Sequence, residues 1–278
     1  MKTQEALVSF MASRRLRGLS ERTLETYAYQ LARLVKAAPQ LPIRVETLTE
    51  FLISCQGKYT PETVHSYYRT FRVFLNWWSK RYKQENPMQY IDAPRVPNKV
   101  MPTLEDIDIE LLAMRVKQPR DRALIALFID TGIRATEAID LRKRDIKPDY
   151  ILVTGKVGQR KVPISDWVVS LLLDLPVCGN GYVFQGNKGK LTRSGAYQIV
   201  RKYLLAIGIT GEKLGPHRLR HTLGRHFLVN GGDIRTLQLI MGHSNIKTTE
   251  KYASLAFSDV IPKHHKYTPA KCFAGVEP

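Results

Sequence analysis

The chain has 278 residues, which is longer than the roughly 150 residues of a typical domain and predicts two domains. Apolar residues make up 44% and charged residues 24%, a balance that argues against a disordered chain and against a membrane protein. Lys and Arg number 43 against 25 Asp and Glu, so the formal net charge is +18. That excess favours a polyanionic partner such as nucleic acid, the alternative being a soluble basic protein.

Cysteines and apolar runs indicate the compartment. Cys55, Cys178 and Cys272 are an odd number and stand too far apart for a metal pair, which favours a reducing environment. No stretch reaches the roughly 18 apolar residues of a membrane span, and residues 1–10 lack the apolar run of a signal peptide. We therefore expect a soluble, cytoplasmic protein.

The first 90 or so residues read as helices only. Ser20 can cap one helix, and Thr60-Pro61-Glu62 combines a capping hydroxyl, a first-turn proline and an acid at the start of another. Apolar residues recur at helical spacing after Thr60. Basic residues occupy much of the remaining surface of that second helix, among them Arg69, Arg72, Lys80 and Arg81.

A proline-rich break follows. Residues 86–102 hold four prolines without a helical period, and we interpret residues 93–102 as an extended linker. The predicted domains are therefore 1–92 and 103–278. Basic residues exceed acidic ones on both sides of the break, which suggests a clamp around one polyanion; the alternative is two independently solvated surfaces.

The second domain is predicted to be mostly helical with one short β element. Thr103 and Asp106 resemble a capping pair, and Pro119 opens an apolar helix that runs to Gly132. Strand-like runs cover 150–154 and 160–164, joined by a turn with two glycines. Further helices are expected near Ser165, near Thr192, after Pro216 and after Asp233.

His217 and Arg220 are three residues apart and share one helix face. A planar guanidinium that binds two oxygens and an imidazole that moves a proton suit a phosphate, although a surface His/Arg pair is the plain alternative. His217 and His221 could instead form a zinc pair. No cysteine or carboxylate lies nearby in the sequence to complete that site, so we predict no metal.

Three other segments carry candidate chemistry. Arg134 follows a glycine turn, with Glu137 three residues later to orient it. Lys156 lies in the predicted β turn, and Tyr252 comes nine residues after His243. Each has a structural alternative, because lone arginines are often structural, turn lysines are often solvated, and most of the 13 tyrosines must be packing residues.

Taken together, the order and spacing of these segments resemble the tyrosine recombinase (phage integrase) family, in its simpler Xer-like form. The resemblance covers nearly all of residues 103–256. After Gly155-Lys156 the family commonly continues with glycine and a further lysine, but this chain has Val157-Gly158-Gln159-Arg160-Lys161, which leaves Lys161 as a competitor for the lysine role. The matching segments are Thr131-Gly132-Ile133-Arg134-Ala135-Thr136-Glu137, Gly155-Lys156, His217-Arg218-Leu219-Arg220-His221-Thr222, Leu239-Ile240-Met241-Gly242-His243 and Thr248-Thr249-Glu250-Lys251-Tyr252.

The resemblance implies a fold and a chemistry. The fold would be mostly α with a small β-hairpin or sheet: a helical, SAM-like core-binding domain and an α+β catalytic domain that clamp DNA. Tyr252 would attack a DNA phosphate to form a 3′-phosphotyrosyl bond, without cofactor or metal. The catalytic set would be Arg134, Lys156, His217, Arg220, His243 and Tyr252, supported by Glu137.

Partners and role follow from the same resemblance. We expect double-stranded DNA with specific recombination sites, contacted by the basic helix that carries Arg69, Arg72, Lys80 and Arg81. The protein would be a monomer in free solution and a homotetramer in the synaptic complex. Its role would be integration and excision or dimer resolution. The alternatives are a catalytically inactive sequence-specific DNA-binding protein of the same fold and a type IB topoisomerase-like enzyme.

Overall fold

The structure is a computed structural model that describes residues 1–97, 101–155, 158–176, 181–187, 189–242 and 249. The chain forms two compact units, Met1–Lys99 and Val100–Pro278. Each unit has its own large hydrophobic core. The division falls within the proline-rich break, while the limits 93–102 for the linker stay a prediction.

The first unit is a bundle of four helices. The last and longest helix packs against each of the other three, because its apolar positions recur at helical spacing. Phe71, Phe74 and Leu75 at its centre are fully buried. Its start follows the predicted signal, since Thr60 Oγ1 accepts a hydrogen bond from Thr63 N at 3.4 Å and Pro61 occupies the first turn. The helices are α1 (Thr3–Leu16), α2 (Glu21–Ala37), α3 (Val45–Cys55) and α4 (Pro61–Tyr82).

The described part of the second unit contains seven α-helices, a short 3₁₀ helix (Lys143–Asp145) and two short antiparallel strand pairs. The second helix of the unit lies at its centre, where residues 123–128 are all buried and neighbouring helices surround it. The prediction of a mostly helical fold with a small β element is confirmed. The helices are α5 (Asp106–Arg115), α6 (Pro119–Thr131), α7 (Ala135–Asp140), α8 (Asp166–Leu173), α9 (Arg193–Ala206), α10 (Pro216–Val229) and α11 (Ile234–Met241).

The main strand pair comprises β1 (Tyr150–Gly155) and β2 (Gly158–Pro163). Its register runs from Tyr150↔Pro163 to Gly155↔Gly158, so β2 begins two residues earlier than the alternation predicted. The second pair, β3 (Gln185–Gly186) and β4 (Gly189–Lys190), was not predicted. Strands of two residues are too short to show an alternating pattern.

The predicted cap of α5 is wrong in its residues. The helix begins at Asp106, and Glu105 N donates to Asp108 Oδ2 at 3.0 Å. The capping residues are therefore Glu105 and Asp108, and not the predicted pair Thr103 and Asp106. Throughout the described residues, no helix combines the length and apolar character that a membrane crossing needs.

Candidate active site

The site begins at the turn between α6 and α7. Gly132 ends α6 in the left-handed conformation, with φ of +59°. A Cβ atom at this position would lie 2.7 Å from Leu223 Cδ2, so the turn lies directly against α10. Arg134 then precedes the first residue of α7, and its backbone N–H donates to Glu137 Oε2 at 2.8 Å. This capping hydrogen bond holds the backbone of Arg134 in place at the start of α7.

The Arg134 guanidinium is held at two points. Nη1 donates to Glu137 Oε1 at 3.1 Å, and Nη2 donates to the carbonyl oxygen of Gly242 at 3.2 Å. The side chain nevertheless keeps 39% of its surface exposed. It is therefore oriented and still accessible to an anion from solvent.

Arg220 approaches the same place from α10. It is buried, with Nη1 donating to the carbonyl oxygen of Gly132 and Nη2 donating to that of Met241 at 2.7 Å. Both arginines thus donate to backbone carbonyl oxygens of neighbouring residues, Met241 and Gly242, at the C-terminal end of α11. The structure brings the two predicted guanidiniums together.

His217 lies one turn before Arg220 on α10, just after Pro216 starts the helix. Partial burial of its ring lowers the pKa of His217, and the positive charges of Arg220, Arg193, Arg134 and Lys213 lower it further. The residue is nevertheless exposed to solvent. The lowered pKa favours the neutral imidazole, which is the form that can accept a proton.

Arg193 and Lys213 extend the cationic surroundings and were missed by the sequence analysis. Arg193 is the first residue of α9, where Thr192 Oγ1 accepts from Gly195 N at 3.0 Å. Lys213 has a left-handed backbone with φ of +58° in the loop before α10. Only their charge distinguishes them in the sequence, because their nearness to His217 depends on the fold.

Glu137 is the buried acid of the site, with 3% of its surface exposed. Burial alone would raise the pKa of Glu137, but hydrogen bonds from Arg160 and from the Arg134 backbone, with the charges of both arginines, lower it overall. Arg160 Nη1 donates to Oε1 at 2.7 Å and Nη2 donates to Oε2 at 3.1 Å. Arg160 has no role among the sequence-based predictions.

Strand β2 presents its two basic residues, Arg160 and Lys161, to opposite sides. Arg160 faces Glu137, whereas the Lys161 ammonium lies 4.7 Å from the centre of the Tyr150 ring. Lys156, the residue favoured from the sequence, lies outside the described residues. His243 and Tyr252 lie outside them as well, although Gly242, which precedes His243, is described.

His217 and His221 are the two residues of the alternative zinc pair. Their rings are 6.5 Å apart and inclined by 28°. Within the described ranges, no group of three or more His, Cys, Asp or Glu side chains is arranged to hold a metal ion.

The predicted DNA-binding residues lie on α4, in the first unit. Arg69, Arg72 and Lys80 are exposed and fall on one face at helical spacing. Arg81 is also exposed, but its guanidinium lies 5.8 Å from the Trp77 ring centre and 5.9 Å from that of Tyr82, on another side of the helix.

Comparisons with known proteins identify the family. The phage integrase family matches residues 99–259, more than half of the chain. The chain is 27% identical over 278 residues to tyrosine recombinase XerD of Vibrio cholerae serotype O1, covering 91% of this chain and 92% of that one. It is 26% identical over 280 residues to tyrosine recombinase XerD of Haemophilus influenzae, covering 91% and 94%.

Solved structures share the fold. The XerH site-specific recombinase in a post-cleavage complex with a palindromic difH substrate is 22% identical, with a TM-score of 0.73 over 93% of this chain and 82% of that chain. A lambda integrase (75-356) dimer bound to a COC′ core site is 16% identical, with a TM-score of 0.75 over 89% and 97%. The chain therefore belongs to the phage integrase family and is a tyrosine-type enzyme of site-specific DNA recombination.

Proposed function

We propose that this enzyme cleaves and rejoins double-stranded DNA at specific sites through a 3′-phosphotyrosyl intermediate. The observation that carries the proposal is the pairing of Arg134 and Arg220 on the adjacent carbonyl oxygens of Gly242 and Met241, close enough to His217 for their charges to lower its pKa. A phosphodiester bound there would meet two permanent positive charges with fixed orientation.

The two guanidiniums would stabilise the transition state. Negative charge builds on the non-bridging oxygens as a nucleophile adds to phosphorus, and preorganised cations at those oxygens lower the barrier. Arg220 is buried, and both of its terminal nitrogens donate to backbone carbonyl oxygens, so it supplies the rigid half of the clamp. Arg134, partly exposed, supplies the half that an incoming phosphate reaches directly.

The reaction would transfer one phosphoryl group from the 5′-oxygen of the DNA to the Tyr252 oxygen. The Tyr252 oxygen attacks phosphorus, its proton passes to His217, and the bond from phosphorus to the 5′-oxygen breaks. Lys156 donates a proton to that oxygen and yields a free 5′-hydroxyl. Because the phosphotyrosyl bond conserves the energy of the original linkage, a second 5′-hydroxyl can reverse the step on another strand without a cofactor.

Two further residues would complete the site. His243 would donate a hydrogen bond to a phosphate oxygen, a role supported by its position directly after Gly242, whose carbonyl accepts from Arg134. Glu137 would orient Arg134 from behind through the side-chain bond at 3.1 Å. The roles of Lys156, His243 and Tyr252 rest on the resemblance of their sequence segments to the family.

DNA would be bound by both units, mostly through phosphates. On α4, the exposed face with Arg69, Arg72 and Lys80 supports a backbone contact, and Arg81 would contact DNA from the end of the helix. We propose a monomer in free solution and a homotetramer on two recombination sites, acting in integration and excision or in dimer resolution. A cytoplasmic location accords with such a substrate.

Two assays test the proposal. The purified protein is mixed with a nicked suicide duplex that carries its recombination site, and an SDS-resistant protein–DNA adduct is expected. An inactive DNA-binding protein would shift the duplex without forming an adduct. Exchange of strands between two distinguishable sites is then scored, since a topoisomerase-like enzyme would form the adduct and relax supercoils without exchanging partners.

A further inference from the structure

Glu137 is shared between two guanidiniums in an unequal way. Arg160 binds both carboxylate oxygens, at 2.7 and 3.1 Å, while the Arg134 side chain reaches only Oε1, at 3.1 Å. The other carboxylate oxygen, Oε2, accepts a hydrogen bond from the Arg134 backbone N–H rather than from its guanidinium. The bidentate partner of the acid is therefore Arg160.

This division has an electrostatic consequence. One carboxylate compensates one guanidinium, and the geometry assigns that compensation to Arg160. The exposed fractions agree, since the side chains of Glu137, Arg160 and Arg134 are 2%, 21% and 39% exposed. The positive charge of Arg134 is therefore compensated less than that of Arg160, and its accessible side stays available to a phosphate.

Arg160 also contacts the turn on which the two clamping arginines meet. A Cβ atom on Gly242 would lie 2.5 Å from Arg160 Nε, so the Arg160 side chain packs closely against that glycine. Nε is buried and has no hydrogen-bond partner among the described residues. A buried, unsatisfied donor is costly and uncommon in native folds, which argues that this placement serves a purpose beyond stability.

We propose that Arg160 is a positioning residue that occupies Glu137 and so keeps Arg134 free for the scissile phosphate. Without Arg160, the buried carboxylate would need another bidentate partner, and Arg134 is the guanidinium already bonded to it. Arg134 would then rotate toward Glu137 and away from the phosphate. This inference rests on the proposed function, because it assigns a role within the same cleavage reaction.

The test uses the full-length protein and the nicked suicide duplex. Arg160→Met removes the charge and the fork but keeps an unbranched side chain, and we expect covalent capture at saturating enzyme to slow by roughly 10- to 100-fold, as for a displaced catalytic group. Arg144→Met is the matched control: Arg144 is 77% exposed and forms a surface pair with Asp145 at 4.0 Å. It should capture DNA at the wild-type rate.

A second substitution separates positioning from folding. Glu137→Gln keeps an oxygen that can accept from the Arg134 backbone but removes the charge that would sequester Arg134. The double variant Glu137→Gln/Arg160→Met should therefore capture DNA about 10-fold faster than Arg160→Met alone. A purely structural role predicts that the double variant is no faster than Arg160→Met, and that result would overturn the proposal.

The substrate supplies an independent readout. A methylphosphonate at the scissile position is neutral and needs less positive charge from Arg134. On the methylphosphonate duplex, the loss of capture rate caused by Arg160→Met should become smaller, by the same factor as the loss caused by Arg134→Ala. An unchanged loss of capture rate for Arg160→Met would contradict the proposal. If Arg160→Met does not fold, Arg160→Lys decides: the bidentate hold predicts a loss of about fivefold or more, and a wild-type rate overturns it.

Failure of the inference is distinguishable from failure of the proposed function. A folded wild-type protein that binds the duplex and forms no adduct would remove the proposed function. A wild-type protein that forms the adduct, with Arg160→Met forming it equally fast, would remove only the role of Arg160.

Discussion

Arg134 and Arg220 lie far apart in the chain and donate to neighbouring carbonyl oxygens of one turn. Arg134 Nη2 is 3.2 Å from the oxygen of Gly242, and Arg220 Nη2 is 2.7 Å from that of Met241. The turn at the end of α11 therefore fixes the relative position of both guanidiniums.

The first prediction concerns the shape of the cation at position 134. Arg134→Lys keeps the charge but loses the fork that bonds Glu137 and Gly242 simultaneously. Covalent capture of a suicide duplex should fall by roughly 100-fold, while the dissociation constant for DNA changes little. Arg144→Lys, on the exposed surface, is the control. A wild-type rate for Arg134→Lys would show that a point charge suffices.

The second prediction concerns the turn itself. Gly242 has φ of +62°, and a Cβ there would lie 2.5 Å from Arg160 Nε. Gly242→Ala should lower the free energy of unfolding by about 1–3 kcal/mol and slow covalent capture, as measured by urea denaturation and the adduct assay. Gly208→Ala separates the two causes, because Gly208 has φ of +84° with no atom within 4 Å of its Cβ position. It should lose stability and keep its capture rate. Equal capture by both variants would contradict the account.

The third prediction concerns pH and His217. Burial and the surrounding cations lower the pKa of His217 in the folded chain below its ordinary value of 6.5. Just below that value the unfolded chain binds more protons than the folded one, so the free energy of unfolding falls as the pH is lowered through this window. His217→Gln should make the loss of stability between about pH 7.5 and 5.5 smaller. Denaturation curves at both pH values measure it, and an unchanged or larger loss would refute the assigned shift.

Four of the predicted site residues, Arg134, Glu137, His217 and Arg220, are brought together by the fold. Each stands at a helix start or at helical spacing from a partner, but each local signal also had a structural alternative. The four could be predicted together because the order and spacing of all the segments resemble the family. The pairing of Arg160 with Glu137 could not be predicted. It depends on how the hairpin packs against α7 and on the pleat, which turns Arg160 toward Glu137 while Lys161 lies on the Tyr150 ring.

In the fold as well, features set by neighbouring residues could be predicted from the sequence, whereas features set by tertiary packing could not. Thr60 and Pro61 predicted the start of α4 because capping is a local interaction. The cap of α5 was assigned to the wrong residues, since several polar side chains compete there and tertiary packing selects among them. The cations Arg193 and Lys213 reach His217 from other elements, so no spacing in the sequence announces them.

The fourth prediction concerns DNA affinity from the first unit. Arg72 is exposed on the face of α4 that also carries Arg69 and Lys80. Arg72→Ala should weaken DNA binding and reduce the slope of log K against log salt by about one, because one phosphate contact is lost. Arg81→Ala should have a smaller effect, since its guanidinium stacks near Trp77 and Tyr82. Binding isotherms at several salt concentrations measure both, and an unchanged slope for Arg72→Ala would remove α4 from the DNA interface.

The central claim is that a phenol oxygen becomes covalently joined to DNA at this arginine pair. The most direct measurement is mass spectrometry of the trypsin- and nuclease-treated adduct, in which the peptide covering residues 252–263 should carry a nucleotide through its 3′-phosphate. Tyr252→Phe should bind the duplex and yield no modified peptide. A nucleotide on a different residue, or an adduct that persists in Tyr252→Phe, would contradict the account.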